Sequence, residues 1–363
     1  MLLPKRMLKR VVPRSTWLAL KEFKNEAIFN YWTAVSRSRF LSGAHYGLFS
    51  KRFGRELRGV AYGKHLYESE IKDQKANRFL LRRNVHRLEK GLLMRPRRDS
   101  FASDYIGETV EAYKQAVLQG GDPQGEPELK WFYDVLSEYF SVVTEAAQDA
   151  NIARARDTFS AFTISNFARE MIPYKRVLDG GPPVTFEQFS GLSKRRRSVR
   201  WYLQKPVPRD LIDQAIVAAA QAPSACNRQP FEFRVFDEPE LVKKVASIPM
   251  GTRGFSENFP AVIAVVGRLR AYFHERDRHV IYIDASLASM ALMYALETLG
   301  LSSCPINWPD QEPHETKMAE LLGLEPDERV VMLISLGYPD PEGMVAYSHK
   351  KPLDQIRSYN NIS

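Results

Sequence analysis

Cysteine is nearly absent from this chain: only Cys226 and Cys304 occur in 363 residues. A disulfide framework is therefore excluded as what holds the fold, and a reducing cytoplasm is the simpler expectation. No uninterrupted apolar run reaches the roughly 18 residues needed to span a bilayer. The most hydrophobic stretch near the start, Trp17 to Leu20, is too short for a secretory signal. No G-x-G-x-x-G opens a helix after a strand-like run, which disfavours a dinucleotide-binding Rossmann domain. The seven histidines form no H-E-x-x-H and the cysteines no paired zinc spacing, so no metal site is expected. Internal repeats and low-complexity tracts are also missing. What remains is ordinary globular composition, 44% hydrophobic and 26% charged, enough for one large domain or two modest ones.

Acidic residues are scarce in the first quarter. Residues 1–98 hold 24 Lys and Arg against 7 Asp and Glu, a net +17, whereas the remainder carries −8. Four readings stay open: a solvated basic arm, an arm that contacts an anionic membrane or an acidic protein, an arm that lies across the acidic remainder of the same chain, and an organellar transit peptide within the acid-free first twenty residues. The location expected is cytoplasmic, with a membrane-peripheral placement if the arm binds lipid. Nucleic acid is disfavoured as a partner, because no nucleic-acid motif accompanies the charge.

Residues 1–75 are weakly periodic, and the scatter of Gly43, Gly47, Gly54, Gly59 and Gly63 predicts partial helix and much loop. From Asn77, Phe79, Leu80, Leu81, Val85, Leu88 and Leu92 mark one apolar helical face that ends near Gly91 and Pro96. Ser103 is positioned to cap a second helix carrying Ile106, Val110, Tyr113 and Val117, and a third opens at Pro127. A fourth is expected from Asn151 to about Met171. The run Asp179-Gly180-Gly181-Pro182-Pro183 cannot continue a helix or a central strand and predicts a domain boundary. Beyond it, a helix at 210–221 precedes a strand through Phe231, Phe233 and Val235. Continuous apolar runs at 261–266 and 330–336 suit buried strands. Between them, Val280 to Leu299 predicts a helix apolar on most sides, which must be covered on most sides. The division expected is a basic arm at 1–75, a helical region at 76–180 and a mixed α and β domain at 190–363.

Chemistry concentrates in that last domain. Arg195-Arg196-Arg197-Ser198-Val199-Arg200 is followed by Ala222-Pro223-Ser224-Ala225-Cys226-Asn227-Arg228-Gln229-Pro230, then by Gly300 to Ile306 after the long helix and by Lys350-Lys351-Pro352-Leu353. The first two segments read as R-x-S-x-R/K and P-S-x-x-N-x-Q-P. Four motifs in this order resemble the FMN-dependent nitroreductase family from Leu192 onward. The resemblance implies an α+β fold, a nitroreductase-like mixed sheet flanked by helices and preceded by a mainly helical N-terminal region. It also implies a homodimer with FMN at the interface, NADH or NADPH as reductant and a small electron-poor molecule as substrate.

Carried over residue by residue, the resemblance gives Arg196 and Lys350 the FMN phosphate, with Arg197 beside them. Ser198 would contact phosphate or ribityl, and Arg200 the N1 and C2-oxygen edge of the ring. A guanidinium fork suits phosphate oxygens, and a cation at the pyrimidine edge favours reduced flavin. Pro223, Ser224, Ala225 and Asn227 would line the ring of the other subunit. Pro305, Ile306 and Asn307 would bring a backbone N–H to its N5 and C4-oxygen edge. No catalytic side chain is implied, since the flavin carries the chemistry. Many members have an acid and a glycine where this chain has Asn307 and Trp308, so a bulky ring beside the flavin is expected to narrow the pocket. Asp284 reads as a polar group at a helix end or interface, and Cys226 as a buried, inert thiol.

The segment Arg82 to Leu92 resembles one in long nitroreductase-like bacterial proteins associated with surface-polysaccharide biosynthesis; the plainer alternative is an amphipathic helix with its charged side in water. The leading expectation is an FMN-dependent NAD(P)H oxidoreductase with a ping-pong cycle. Its rival is a flavin-fold binding or assembly component of a surface-polysaccharide system.

Overall fold

The computed structural model describes residues 13–143, 149–164 and 167–362. They divide into two compact units, with the boundary between Arg58 and Gly59.

The first unit holds helices α1 (Arg14–Arg37) and α2 (Arg39–Ala44), a π-helical turn at His45–Phe49, and the first residues of α3 (Gly54–Lys72). Ser38 divides α1 from α2: extended itself, it accepts the Leu41 N–H and starts the second helix. Of the stretch 1–75 read as partial helix and much loop, the described residues 13–75 are largely helical, and 1–12 lie outside the described residues.

The glycines explain that difference. Gly59 and Gly63 lie four apart on one face of α3, and a Cβ at either would meet backbone, Pro326 O at 2.8 Å or Arg270 N at 2.8 Å. They are contact points for a close approach, not loop markers. The division at 58/59 accordingly precedes the expected one at 75/76.

Within the second unit, α4 (Arg78–Leu92), α5 (Ile106–Leu118), α6 (Pro127–Val142) and α7 (Ala150–Ser160) build one core. Asn77 caps α4, accepting the Leu80 N–H at 2.8 Å, and Pro127 occupies the first turn of α6. Leu81, Val85 and Leu88 pack with Tyr113, Phe132, Leu136 and Tyr139, all fully buried. Two ends differ from expectation. α5 starts at Ile106, while Ser103 accepts a hydrogen bond from Asn151 instead of capping it. α7 stops at Ser160, where a turn follows; 165 and 166 of the expected helix lie outside the described residues.

The exposed stretch 179–184 does separate helical and sheet-bearing segments in sequence, but both belong to the same compact unit. α8 (Phe186–Arg195) and α9 (Arg209–Ala219) lead into β1 (Phe231–Phe236). After α10 (Pro239–Ser247) come β2 (Ala261–Arg268), α11 (Val280–Thr298), β3 (Ser302–Asn307), α12 (His314–Leu322), β4 (Glu328–Gly337) and a short α13 (Leu353–Ile356). The strand order is β1-β2-β4-β3, every pair antiparallel, with one parallel bridge from Ser198 to Ser303 on the outer edge of β3.

Both sheet faces are covered. Ala285, Leu292 and Leu296 of α11 and Ile212, Ala215 and Ala219 of α9 pack on Ile263, Val265 and Ile334. On the other face Val242, Val245, Trp308 and Met318 cover Val262, Ala264 and Leu333. By length and composition the segment 275–298 could cross a bilayer. Its buried Asp284, Ser289 and Glu297 and its sheet-facing alanines make it the core helix of this domain.

Seating α3 through Gly63 has a measurable consequence. Gly63→Ala is expected to lower the urea midpoint by an amount equivalent to roughly 1–3 kcal/mol, the usual range for forced overpacking. Gly107→Ala, where nothing lies within 4 Å, should leave it unchanged or raise it by up to about 1 kcal/mol. A Gly63→Ala midpoint at or above the parent's would show that α3 does not sit against residues 269–270.

Candidate functional site

The basic run begins where α8 ends. A capping box opens that helix: Thr185 accepts the Gln188 N–H and Gln188 accepts the Thr185 N–H. Past Arg195 the chain extends along β3, where the Val199 N–H donates to Ser303 O at 3.1 Å. Arg196, Arg197, Ser198 and Arg200 are half-buried here. Arg200 donates to Ser198 O at 3.2 Å and lies 5.6 Å from the Phe255 ring centroid. Burial pushes the Cys304 thiol up, while Arg200, Ser198 and Arg196 pull it down.

Arg195 pairs with Glu297 at 3.3 Å. Arg196, Arg197 and Arg200 meet no carboxylate among the described residues, and Ser303 Oγ beside them is buried without a partner. Half-dry guanidiniums without counter-charge, next to an orphan hydroxyl, suit an oxygen-rich anion such as a phosphate ester.

The same edge offers a backbone donor. Ser303 O points away from β4 toward Val199, and backbone polarity alternates along a strand. Ser303, Pro305 and Asn307 therefore direct their main-chain groups outward. Proline has no N–H, so Asn307 supplies the next outward donor beyond Ser303. The Ile306 side chain is buried in the core, leaving only its backbone for a ligand.

Trp308 does not narrow this region. It is buried beside Tyr202 and Met318, its indole N–H donates to Glu315, and Glu315 meets Arg329 at 3.3 Å. The expected bulky ring beside a flavin is corrected to a core side chain, because alternation after the exposed Asn307 turns position 308 inward.

The loop through Pro223, Ser224, Ala225 and Asn227 lies elsewhere. Cys226, Asn227 and Gln229 take φ of 53°, 50° and 48°, left-handed values costing of order 1–2 kcal/mol each for non-glycine residues. Several bonds hold this conformation. The Ala225 N–H donates to both Asp284 oxygens at 3.2 and 3.1 Å, and the Gln229 N–H to Ser224 Oγ at 3.1 Å. Tyr272 donates to Asp284 at 2.6 Å. Burial raises the Asp284 carboxyl, and burial together with that carboxylate keeps the Tyr272 hydroxyl protonated. Asp284 is thus a loop anchor at the start of α11. Cys226 is half-buried where a buried thiol was expected.

Asp284 and Glu297 lie thirteen residues apart on α11, or about 20 Å. One end of the helix anchors the loop; the other, through Glu297 to Arg195 and to Ser302 at 2.9 Å, anchors the basic run and β3. Among the described residues no hydrogen bond or ion pair joins the two predicted groups, and their anchors stand about 20 Å apart along the helix. Lys350 stands exposed in the extended tail and joins neither.

Sequence reasoning missed Arg82. From α4 it donates to Asn227 O at 2.7 Å and Gln229 Oε1 at 2.6 Å, and it also pairs with Glu128 of α6. Neighbouring charged groups are likewise engaged: Arg87 lies 3.5 Å from the Tyr105 ring centroid and Glu89 accepts the Trp131 indole N–H at 3.0 Å. The polar side of α4 is thus partly engaged by protein, with Lys90 left exposed. The signal was available as an arginine cluster opposite an apolar face, but its target lies some 145 residues away in sequence.

The Nitroreductase family model matches residues 193–252 and 249–338. Among curated proteins, iodotyrosine deiodinase 1 of Pongo abelii is 28% identical over 200 residues, 47% of this chain and 67% of that protein. The NADH dehydrogenase of Thermus thermophilus is 28% identical over 193 residues, 45% and 91% of the two chains. An FMN-dependent nitroreductase structure from Clostridium difficile is 27% identical at a TM-score of 0.41, covering 47% of this chain and 99% of its own.

Arg82→Ala removes two donors from the strained loop and one partner from Glu128. Modification of Cys226 by a thiol reagent is expected to accelerate about tenfold or more, from the loss of charged hydrogen bonds worth roughly 1.5–3 kcal/mol. Cys304, being buried, should stay silent in the native protein. An unchanged Cys226 rate would show that Arg82 does not hold the loop.

Proposed function

We propose that this chain is an FMN-dependent NAD(P)H oxidoreductase whose flavin sites form between two copies. The observation that carries this reading is the set of half-buried guanidiniums of Arg196, Arg197 and Arg200, none with a carboxylate partner among the described residues, at the open edge of β3 beside the outward N–H of Asn307. When bound there, FMN supplies two-electron chemistry, passing hydride from a nicotinamide dinucleotide to a small electron-poor substrate in a ping-pong cycle.

The chain's own residues bind and orient. Arg196, with Lys350 from the tail, holds the phosphate; Arg197 and Ser198 lie beside it toward the ribityl chain. Arg200 places positive charge at the N1 and C2-oxygen edge, which favours the reduced ring. The Asn307 N–H serves the N5 and C4-oxygen edge. Pro223, Ser224, Ala225 and Asn227 come from the second copy and cover the ring. Asp284 is occupied as a loop anchor and moves no proton. The match over residues 193–338 and the relative named NADH dehydrogenase support the reaction class. The near absence of cysteine supports a cytoplasmic location.

The separation along α11 supports the dimer, and so does exposed apolar surface. Phe186 and Phe189 on α8, Ile283 and Leu287 on α11, and Met344, Tyr347 and Ile356 in the tail are all exposed in the single chain. Such a surface calls for a partner.

Purified protein should be yellow and bleach on addition of NADH or NADPH under exclusion of oxygen. Arg196→Ala and Lys350→Ala should each weaken FMN retention, by about 1.5–3 kcal/mol per lost charged contact, and the double variant should purify without flavin. Full flavin in the double variant would contradict the site. Light scattering at micromolar concentration should give twice the 41.6 kDa chain mass. A strictly monomeric protein with stoichiometric FMN would contradict the shared site.

A further inference from the structure

Of the 46 residues 13–58, nine are Lys or Arg and three are Glu. α1 lies in this first unit, and the sides of that helix differ in kind. At about 100° per residue, Trp17, Leu20, Lys24, Ile28 and Tyr31 fall within an arc of about 80°, with Lys21 at its margin. Glu22, Glu26, Thr33 and Arg37 cluster on the opposite side. The apolar members of the stripe are between 42% and 56% exposed. Phe23, about 60° beyond one edge of the stripe, Phe29 on the side of the glutamates, and Phe40 and Phe49 in the following turns are more exposed still.

The unit has internal means to hold this surface in place. Tyr31 hydrogen-bonds His45, and Trp32, His45 and Tyr46 form a series of edge-to-face rings at 4.9 and 4.8 Å. The Ser42 hydroxyl donates to Val35 O at 2.6 Å and fastens α2 to the end of α1.

An exposed stripe of Trp, Tyr, Leu and Ile, with lysines within and beside it and both helix acids turned away, has the chemistry of a surface that lies in a lipid interface. Aromatic rings and aliphatic side chains enter the acyl boundary while lysines meet anionic headgroups. A protein partner would explain the apolar area but does not require this segregation of lysine from glutamate. We infer that α1 docks the chain peripherally on an anionic membrane, through the stripe from Trp17 to Tyr31 with Lys21 and Lys24. This goes beyond the redox reading and does not depend on it.

The test uses the full chain, sedimented with vesicles of phosphatidylcholine alone and with one quarter phosphatidylglycerol, at 50 and 500 mM NaCl. Expected is pelleting with the anionic vesicles at low salt, about tenfold or more above the neutral ones and released by high salt. Lys21→Glu with Lys24→Glu should lower partitioning at least about tenfold, at about 1 kcal/mol for each charge near the surface before counting repulsion by the new acids. Leu20→Asn with Ile28→Asn should weaken it as well, with flavin content and mass unchanged in both variants. Absence of pelleting with anionic vesicles, equal binding to neutral ones, or undiminished binding by both variants would overturn the inference. So would a Leu20→Asn/Ile28→Asn variant that changes the mass of the assembly while binding vesicles like the parent, since the stripe would then be a contact between copies.

Discussion

A single helix sets the distances on which the candidate site depends. α11 carries buried Asp284 near its start and buried Glu297 near its end, and each carboxylate holds a different functional segment. Because a helix is a rigid spacer of about 1.5 Å per residue, the loop at 224–229 and the basic run at 196–200 cannot be drawn together by small loop movements. The dimer proposed above would let a cofactor take the two from different copies. The buried carboxylates are sustained by the groups they anchor: a backbone N–H and a tyrosine hydroxyl at one end, an arginine and a serine hydroxyl at the other.

The two anchored segments are built on opposite principles. The basic run is under-satisfied, since three half-buried guanidiniums have no counter-charge among the described residues, and an anionic ligand would relieve that. The loop is over-determined. Three left-handed non-glycine residues are held by Asp284, by Ser224 and by Arg82 reaching in from the helical region. Strain of this kind persists where surrounding contacts fix it, and here part of the fixing comes from a segment outside the matched 193–338 region. The helical region thereby acquires a role in the candidate site that its position in sequence does not suggest.

Much of this was legible in the residues. Apolar periodicity located α4, α6, α9 and α11, and continuous apolar runs located β2 and β4, because one-sided or full burial leaves a direct mark on composition. Motif order brought out the basic run, the loop at 223–230 and the segment 300–307, which was read as a loop and is the strand β3. What escaped reading depends on tertiary partners. Gly59 and Gly63 look like loop residues until the backbone they approach is known. Trp308 looks like a pocket wall until strand alternation turns it to the core. The left-handed backbone at Cys226, Asn227 and Gln229 has no glycine to announce it, and the partner of Arg82 lies far along the chain. Lys350 illustrates the opposite case: its motif is plain, but the single chain leaves it exposed.

The claim that two copies complete each site is tested most directly by mixing two defective chains. One carries Arg196→Ala with Lys350→Ala; the other carries a lesion in the loop, Ser224→Trp with Asn227→Ala, and each should purify with little flavin. After mixed refolding or co-expression and isolation of the hybrid dimer, one site has both lesions and the other has neither. The account predicts about one FMN per hybrid dimer, bleachable by a nicotinamide dinucleotide. A hybrid as empty as its parents would mean that Arg196 and the loop serve the same chain's site, and would contradict the account.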